Sequence, residues 1–133
     1  MGKTLFRVHQ MTPSAANKAY NKAVKAGKRL PELEHIIMND PWHSCLYAER
    51  VIKARWIEAE DIIMTDPESS YYCAIHVIKG HLPTKMHNRM LFYAMENPND
   101  GWVKRYFKFI ERRENWVKEF ISRNQNDTTR SIR

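Results

Sequence analysis

The strongest constraint on the fold is a stretch that occurs twice in succession, at 33–58 and at 59–84. Aligned without a gap, the two copies share eleven residues, which is far more than chance gives. The shared pairs are Glu34/Glu60, Ile36/Ile62, Ile37/Ile63, Met38/Met64, Asp40/Asp66, Pro41/Pro67, Ser44/Ser70, Ala48/Ala74, Val51/Val77, Ile52/Ile78 and Lys53/Lys79. A fixed period of about 26 residues is typical of repeat proteins, in which each unit buries its apolar face against the next unit.

Each copy carries the signals of a helix–turn–helix hairpin. Asp40-Pro41 and Asp66-Pro67 predict helix starts, because aspartate accepts an unpaired backbone N–H and proline needs none at the first helical position. The shared small and apolar residues that follow have the i, i+4, i+7, i+8 spacing of one helix face. A turn comes next, where Gly80 is the expected C-cap of the second copy. A second short helix is predicted at 58–64, with its counterpart at 32–38.

These hairpins predict a single all-α domain over residues 1–123, with the units stacked in an α-solenoid-like arrangement. The predicted units span about 12–32, 33–58, 59–84 and 85–123, and the last unit contains a long capping helix from Asp100 to Arg123. Residues 124–133 lack apolar periodicity and are predicted to form a flexible tail. Residues 3–11 alternate loosely between polar and apolar, which indicates a short N-terminal strand or an extended arm.

Composition narrows the classes of partner. Lysine and arginine number 22 against 15 aspartates and glutamates, so the net charge is +7 and an acidic partner is favoured, nucleic acid first. No apolar run approaches the length of a membrane span, so no membrane partner is expected. Cys45 and Cys73 lack metal-binding spacing, which predicts free thiols in a reducing compartment, the cytoplasm. The sequence leaves the oligomeric state open.

The repeat predicts a ridge of positive charge. A lysine follows each Val-Ile pair, and a second basic residue follows shortly after it. Units that stack with constant rotation align such positions, so the chain is predicted to present a continuous basic ridge able to follow phosphates. The predicted basic ridge consists of Lys25, Arg29, Arg50, Lys53, Arg55, Lys79, His81, Lys85 and Arg89. The alternative is that these cations are solvated helix ends, which the helix dipole stabilises.

The C-terminal helix is the second candidate binding surface. Its predicted binding residues are Lys104, Arg105, Lys108, Arg112 and Arg113. Tyr106, Phe107 and Trp116 are interleaved with them, and such rings can stack on unpaired bases of RNA. In the alternative interpretation, the aromatic residues close the last apolar face and the basic side faces solvent.

No catalytic site, metal site or cofactor is predicted. The six histidines lack ligand spacing, and the four glycines do not form a phosphate-binding loop. No nucleophile motif is present either, so a hydrolase built around His43 or His76 is the least favoured hypothesis. Glu34 and Glu60 recur in both copies, which favours a structural role in pairing with Arg or Lys of a neighbouring unit.

The central part of the chain resembles a short helical repeat found in many small proteins of tailed bacteriophages, with the pattern YAxxVIKGRWPEAExxI. The matching residues are Tyr47-Ala48, Val51-Ile52-Lys53, Arg55-Trp56 and Glu58-Ala59-Glu60. The second copy departs from the pattern at Cys73 and at 82–85. The family has no single known activity, so the resemblance assigns no functional residues.

The resemblance implies a phage or prophage origin and an early, host-directed accessory role. The resulting hypothesis is a non-enzymatic protein in the host bacterial cytoplasm that binds and modulates or inhibits a host protein complex, such as a defence or nucleic-acid-handling complex. The alternative is a protein that binds RNA or DNA directly through the basic ridge and the C-terminal helix.

Overall fold

The computed structural model describes residues 13–132, and this part of the chain is all-α. Its α-helices are α1 (Pro13–Ala26), α2 (Pro31–Ile37), α3 (Pro41–Tyr47), α4 (Glu60–Ile63), α5 (Pro67–Cys73), α6 (Thr84–Glu96) and α7 (Gly101–Ile132). No β-strand occurs between residues 13 and 132, which confirms the prediction of an all-α fold. The segment 3–11, for which a strand or arm was predicted, lies outside the described residues.

The two Asp-Pro sequences begin helices as predicted. The Asp40 carboxylate accepts the backbone N–H of His43 at 2.8 Å, and the Asp66 carboxylate accepts that of Ser69 at 3.1 Å. Both helices then continue as π-helical turns, α3 into Ala48–Ile52 and α5 into Ala74–Ile78. A 3₁₀ turn at Ile57–Ala59 leads into α4.

Each π-helical turn ends at a residue with a left-handed backbone conformation. In the second copy this residue lies one position before Gly80, the predicted C-cap. Lys53 and Lys79 both have φ of 62°, the left-handed region that glycine normally occupies. Gly80 itself is outside that region. A Cβ at Gly80 would lie 3.3 Å from Nε of Arg113, and glycine avoids this tight contact.

The first unit has the same left-handed conformation at Gly27, whose φ is 70°. Gly27 lies 26 residues before Lys53, just as Lys53 does before Lys79, so the residue of the first unit that shares the conformation of Lys53 is Gly27 and not Lys25 of the predicted basic ridge. The physical reason is that α1 is regular to its end: the Gly27 N–H bonds the carbonyl of Ala23, four residues back. The Lys53 N–H bonds that of Ala48, five residues back, so the π turn contains one additional residue.

One helix of each predicted unit packs against one helix of the next unit. Helix α1 contacts α3, α3 contacts α5, and α5 contacts α7. Ala48 and Ala74 are completely buried at these contacts. Ser44 Oγ donates to the Ile37 carbonyl at 3.1 Å and Ser70 Oγ to the Ile63 carbonyl at 3.2 Å, which ties α3 to α2 and α5 to α4.

Two buried free cysteines belong to the core between α3 and α5. The hydrogen bond that Cys45 shares with Cys73 raises the pKa of Cys45, and burial raises it further. Both effects disfavour the thiolate, so Cys45 behaves as a small apolar residue of the core rather than as a nucleophile.

Helix α7 begins one residue later than predicted and ends well beyond its predicted end. The Asp100 carboxylate caps it by accepting the N–H groups of Trp102 and Val103 at 2.9 and 3.0 Å. The helix continues to Ile132, so most of the segment 124–133, for which a flexible tail was predicted, belongs to α7. The stretch contains neither proline nor glycine after Gly101, and a formed helix extends more readily than a new one starts.

The core residues among the described side chains of α7 lie in the first third of the helix. Val103, Tyr106 and Ile110 are buried, whereas every side chain described from Glu111 onward is exposed. Among residues 13–132, no helix combines the length and apolar character needed to cross a membrane.

Candidate functional site

Two arginines of the predicted basic ridge occupy equivalent positions of successive units, and both are bound to carboxylates. Arg29 donates to both oxygens of Glu34, at 2.8 and 2.9 Å, through Nε and Nη2. Arg55 makes the same two bonds to Glu60, both at 2.9 Å. The prediction that these glutamates pair with basic residues is confirmed, and each pair removes one cation from those available to a ligand.

Other cations of the predicted ridge also have partners within the described residues. Lys85 forms an ion pair with Asp61, and Arg50 lies 3.6 Å from Glu49 and donates to the Tyr20 hydroxyl. Arg89 lies over the rings of Phe92 and Tyr93, at 5.8 Å from each centre, and His81 stacks on His87 at 4.0 Å. Lys25 is exposed on the last turn of α1. The carboxylates therefore interrupt the predicted ridge.

Lys53 and Lys79 are brought together. Both line one cavity of about 310 Å³ next to the π-helical turns. The remaining lining residues are Glu49, Ala54, Ile75, His76 and Val77. No ion pair or hydrogen bond of either lysine side chain occurs within the described residues. We refer to this site as the two-lysine cavity.

The carboxylate in the two-lysine cavity is already engaged. The Tyr72 hydroxyl donates to Glu49 Oε1 at 2.6 Å, and Nδ1 of His76 lies 3.6 Å from Oε2. Burial and the hydrogen bond to Glu49 raise the pKa of Tyr72 to about 12, so it remains a donor at neutral pH. With Arg50 also 3.6 Å from Glu49, the negative charge of this carboxylate is largely compensated.

A second group of cations converges on the outer face of α7. Arg105, Lys108 and Arg112 line a shallow cavity of about 150 Å³ together with Tyr71 and Phe109. We call this surface the basic helix face. The spacing of its cations places them on one side of the helix, one turn apart. The guanidinium of Arg105 also lies 4.6 Å from the ring centre of Trp102.

Two of the five predicted cations of the C-terminal helix are not part of this face. Lys104 is exposed and is not among the residues that line the cavity. Arg113 lies on another side, close to Gly80, and lines a separate cavity of about 300 Å³ with His81 and Val117. Of the interleaved aromatic residues, Tyr106 is completely buried and Phe107 is half-buried.

His43, one of the two histidines of the least favoured hypothesis, has a polar partner at each ring nitrogen. Nδ1 of His43 lies 2.5 Å from Asp40 Oδ2, and Nε2 lies 3.1 Å from Asn17 Oδ1. The neighbouring Ser44 donates its hydroxyl to a carbonyl instead of to His43. Within residues 13–132, no group of His, Cys, Asp and Glu side chains is placed to hold a metal ion.

Comparison with protein-family models, with curated proteins and with solved structures finds no significant match.

Sequence reasoning missed the residues that complete each surface. Glu49, His76 and Tyr72 at the two-lysine cavity differ from their counterparts in the other copy of the repeat, so the alignment does not reveal them. Tyr71 comes from α5 and reaches the basic helix face only through the packing of α5 on α7. The only sequence signal for that face was the spacing of basic residues along α7.

Proposed function

We propose that this chain is a non-enzymatic accessory protein of bacteriophage origin that binds an acidic surface of a host protein complex in the bacterial cytoplasm. The basic helix face is the proposed contact surface. The observation that carries the proposal is the convergence of Arg105, Lys108 and Arg112 with Tyr71 and Phe109 around one shallow cavity. Phage origin rests on the resemblance of residues 47–60 to the phage helical repeat.

The cations of this face are available to a partner. Arg105, Lys108 and Arg112 take part in no ion pair among the described residues, and the guanidinium of Arg105 lies over the ring of Trp102. By contrast, Arg29 and Arg55 are each bound to a glutamate in the same molecule. A cation with no partner in its own fold gains most from an acidic partner, because no existing bond must be broken.

The chemistry of the face favours a protein partner. Arginine, tyrosine and tryptophan dominate the energetic centres of protein–protein interfaces, since they combine a large contact area with directional hydrogen bonds. The same helix exposes Val117, Phe120 and Ile121, each at least 40% accessible. Exposed aliphatic side chains match a protein surface better than they match a phosphate backbone.

Direct binding of RNA or DNA is the second candidate. Two observations favour it: the net charge of +7 and the juxtaposition of Lys53 and Lys79, which lie in one cavity. The ion pairs of Arg29, Arg55 and Lys85 count against it, because they reduce the positive potential that would attract phosphates.

Affinity capture from a nuclease-treated bacterial lysate tests the proposal. The wild-type chain is expected to retain a stoichiometric protein partner, and Arg105→Glu/Lys108→Glu/Arg112→Glu is expected to lose it. The matched control is Lys18→Glu/Lys22→Glu/Lys25→Glu, which reverses three exposed cations of α1 and makes the same change in net charge. This control is expected to retain the partner.

Two results would contradict the proposal. Equal loss of the partner in both triple variants would show that net charge, not the basic helix face, determines binding. Release of the partner by nuclease, together with binding of a random oligonucleotide that weakens steeply with salt, would favour the second candidate.

We further propose that the helices stack as duplicated hairpins in an α-solenoid-like arrangement whose period is the length of one copy, 33–58. The recurrence of contacts at that spacing supports it: the Arg–Glu pairs, the serine-to-carbonyl bonds and the left-handed residues Gly27, Lys53 and Lys79. The succession of contacts from α1 through α3 and α5 to α7 also supports it.

A further inference from the structure

Lys53 and Lys79 occupy a backbone conformation that is unfavourable for lysine. Each has φ of 62°, where the Cβ of any residue other than glycine approaches its own backbone. Glycine is compatible with this turn in the same chain, because Gly27 adopts it with φ of 70°. The chain therefore carries conformational strain at both lysines that glycine would remove, and strain of this kind concentrates at functional sites.

A second observation, independent of the backbone, is that both strained lysines line the same cavity of about 310 Å³. His76 lies beside them, and Ile75 and Val77 supply a small apolar wall in a lining that is otherwise mostly polar. The strain and the cavity together suggest that the two lysines are present for their ammonium groups rather than for the turn.

The charges around the cavity favour an anion as its ligand. Glu49 is the carboxylate among the lining residues, and it is held by the Tyr72 hydroxyl, Arg50 and His76. The two lysine side chains, in contrast, have no ion pair within the described residues. Two ammonium groups facing one compensated carboxylate give the cavity a positive potential.

We propose that the two-lysine cavity binds the phosphate monoester group of a small ligand. A phosphate monoester carries between one and two negative charges at neutral pH and has three strong acceptor oxygens, which match two ammonium groups with three donors each. The cavity is larger than one phosphate group, so the rest of the ligand lies against the wall formed by Ile75 and Val77. This inference does not depend on the basic helix face or on its partner.

Two probes test the site directly: inorganic phosphate and phenyl phosphate, whose ring can contact the apolar wall. In a titration followed by amide NMR shifts, both are expected to saturate, with the largest shifts at Lys53, His76 and Lys79, and phenyl phosphate is expected to bind more tightly. Sodium acetate at equal ionic strength is expected to leave these amides unshifted.

Two double variants separate the strain from the charge. Lys53→Gly/Lys79→Gly is expected to raise the melting temperature by a few degrees while the affinity for phenyl phosphate falls by about tenfold or more. Lys53→Met/Lys79→Met retains the strain and the aliphatic stem, so the affinity falls equally while the melting temperature stays below that of the glycine variant. Lys18→Met/Lys22→Met makes the same change in net charge at two exposed lysines of α1 and is expected to keep the affinity within about twofold.

Any of four results would overturn the inference. The first is the absence of saturable shifts in the wild-type chain, and the second is an equal loss of affinity in the Lys18/Lys22 control. The third is a glycine variant that melts no higher than the methionine variant, which would remove the strain from the argument. The fourth is a single-stranded oligonucleotide that shifts the same amides at lower concentration than phenyl phosphate, which would assign the cavity to a nucleic acid.

Discussion

The hydroxyl of Tyr106 joins His87 to the backbone of Leu82. It accepts the backbone N–H of Leu82 at 3.1 Å and lies 2.7 Å from Nδ1 of His87. Its own hydrogen is available to an Nδ1 that carries no proton. Burial lowers the pKa of His87, and the ring of His81 stacked at 4.0 Å lowers it further, with Glu114 acting in the opposite direction.

This arrangement predicts a loss of stability in mild acid. In the unfolded chain His87 titrates near about 6.5, and in the folded chain it titrates at a lower pH. Between those values the unfolded state binds more protons, so the free energy of unfolding decreases as the pH falls below about 6.5. His87→Gln should reduce this decrease, which urea denaturation at pH 7.5 and pH 5.5 measures.

His35→Gln is the control, because His35 is exposed and the same change of side chain is made there outside the contact with Tyr106. Both pH values keep Glu34 ionised, since its hydrogen bond with Arg29 lowers the pKa of that carboxyl. Equal loss of stability in the wild type and the His87 variant would exclude His87 as the acid-sensitive group.

Residue-level prediction succeeded where the two copies agree. Glu34 and Glu60 recur at equivalent positions, and both pair with an arginine that precedes them by five residues. The bond between His87 and Tyr106 joins α6 to α7, which lie outside the duplicated stretch. No repetition marks these two residues, so only the packing of the last two helices reveals their contact.

At the scale of the element, the helix starts were predictable and the helix ends were not. Asp40 and Asp66 cap their helices through local bonds that depend on neighbouring residues alone. The π-helical turns at Ala48–Ile52 and Ala74–Ile78 have the same apolar spacing as an α-helix, so periodicity does not distinguish them. The position of the left-handed lysines follows from these turns and was missed with them.

The proposed stacking predicts that the chain tolerates an additional unit. Insertion of a third copy of residues 33–58 directly after Glu58 joins Glu58 to Leu33, which is equivalent to its natural neighbour Ala59. Each unit then still meets the surface it normally packs against, so the enlarged chain should fold cooperatively with a higher helix content. Circular dichroism and urea denaturation with a single transition measure this outcome.

An insertion of half a unit, residues 33–45 after Glu58, is the control. It places Asp-Pro and the alanine contact out of register, so we expect a broadened transition and lower stability. If the half-unit and the whole-unit insertions behave alike, the repeat period read from the sequence has no structural meaning.

At the scale of the whole molecule, net charge predicts an acidic partner but does not predict which surface of the protein would bind it. The chain carries seven more basic than acidic residues, yet carboxylates neutralise several cations of the predicted ridge. Of the cations that remain together, Lys53 and Lys79 come from successive units and meet at one cavity, whereas Arg105, Lys108 and Arg112 share one side of α7. Sequence spacing predicted these residues as binding residues. Only the three-dimensional structure shows which of the predicted cations form ion pairs within the protein and which do not.

The division of α7 into a buried part and an exposed part gives a prediction about the limits of the folded domain. A chain that ends at Asn115 keeps Val103, Tyr106 and Ile110, the buried residues of the helix. Because the side chains described beyond Ile110 are exposed, we expect its melting temperature to lie within a few degrees of that of the full chain. It also keeps the basic helix face and should therefore still capture the proposed partner.

A chain that ends at Arg105 is the matched comparison, since it lacks Tyr106 and Ile110. Tyr106 is completely buried and its hydroxyl accepts the Leu82 N–H, so its removal should cost at least about 3 kcal/mol of stability. Thermal and urea denaturation monitored by circular dichroism measure both truncations. Unfolding of the chain that ends at Asn115 would show that the distal half of α7 contributes to the core. The whole length of the helix that carries the basic helix face would then support the fold.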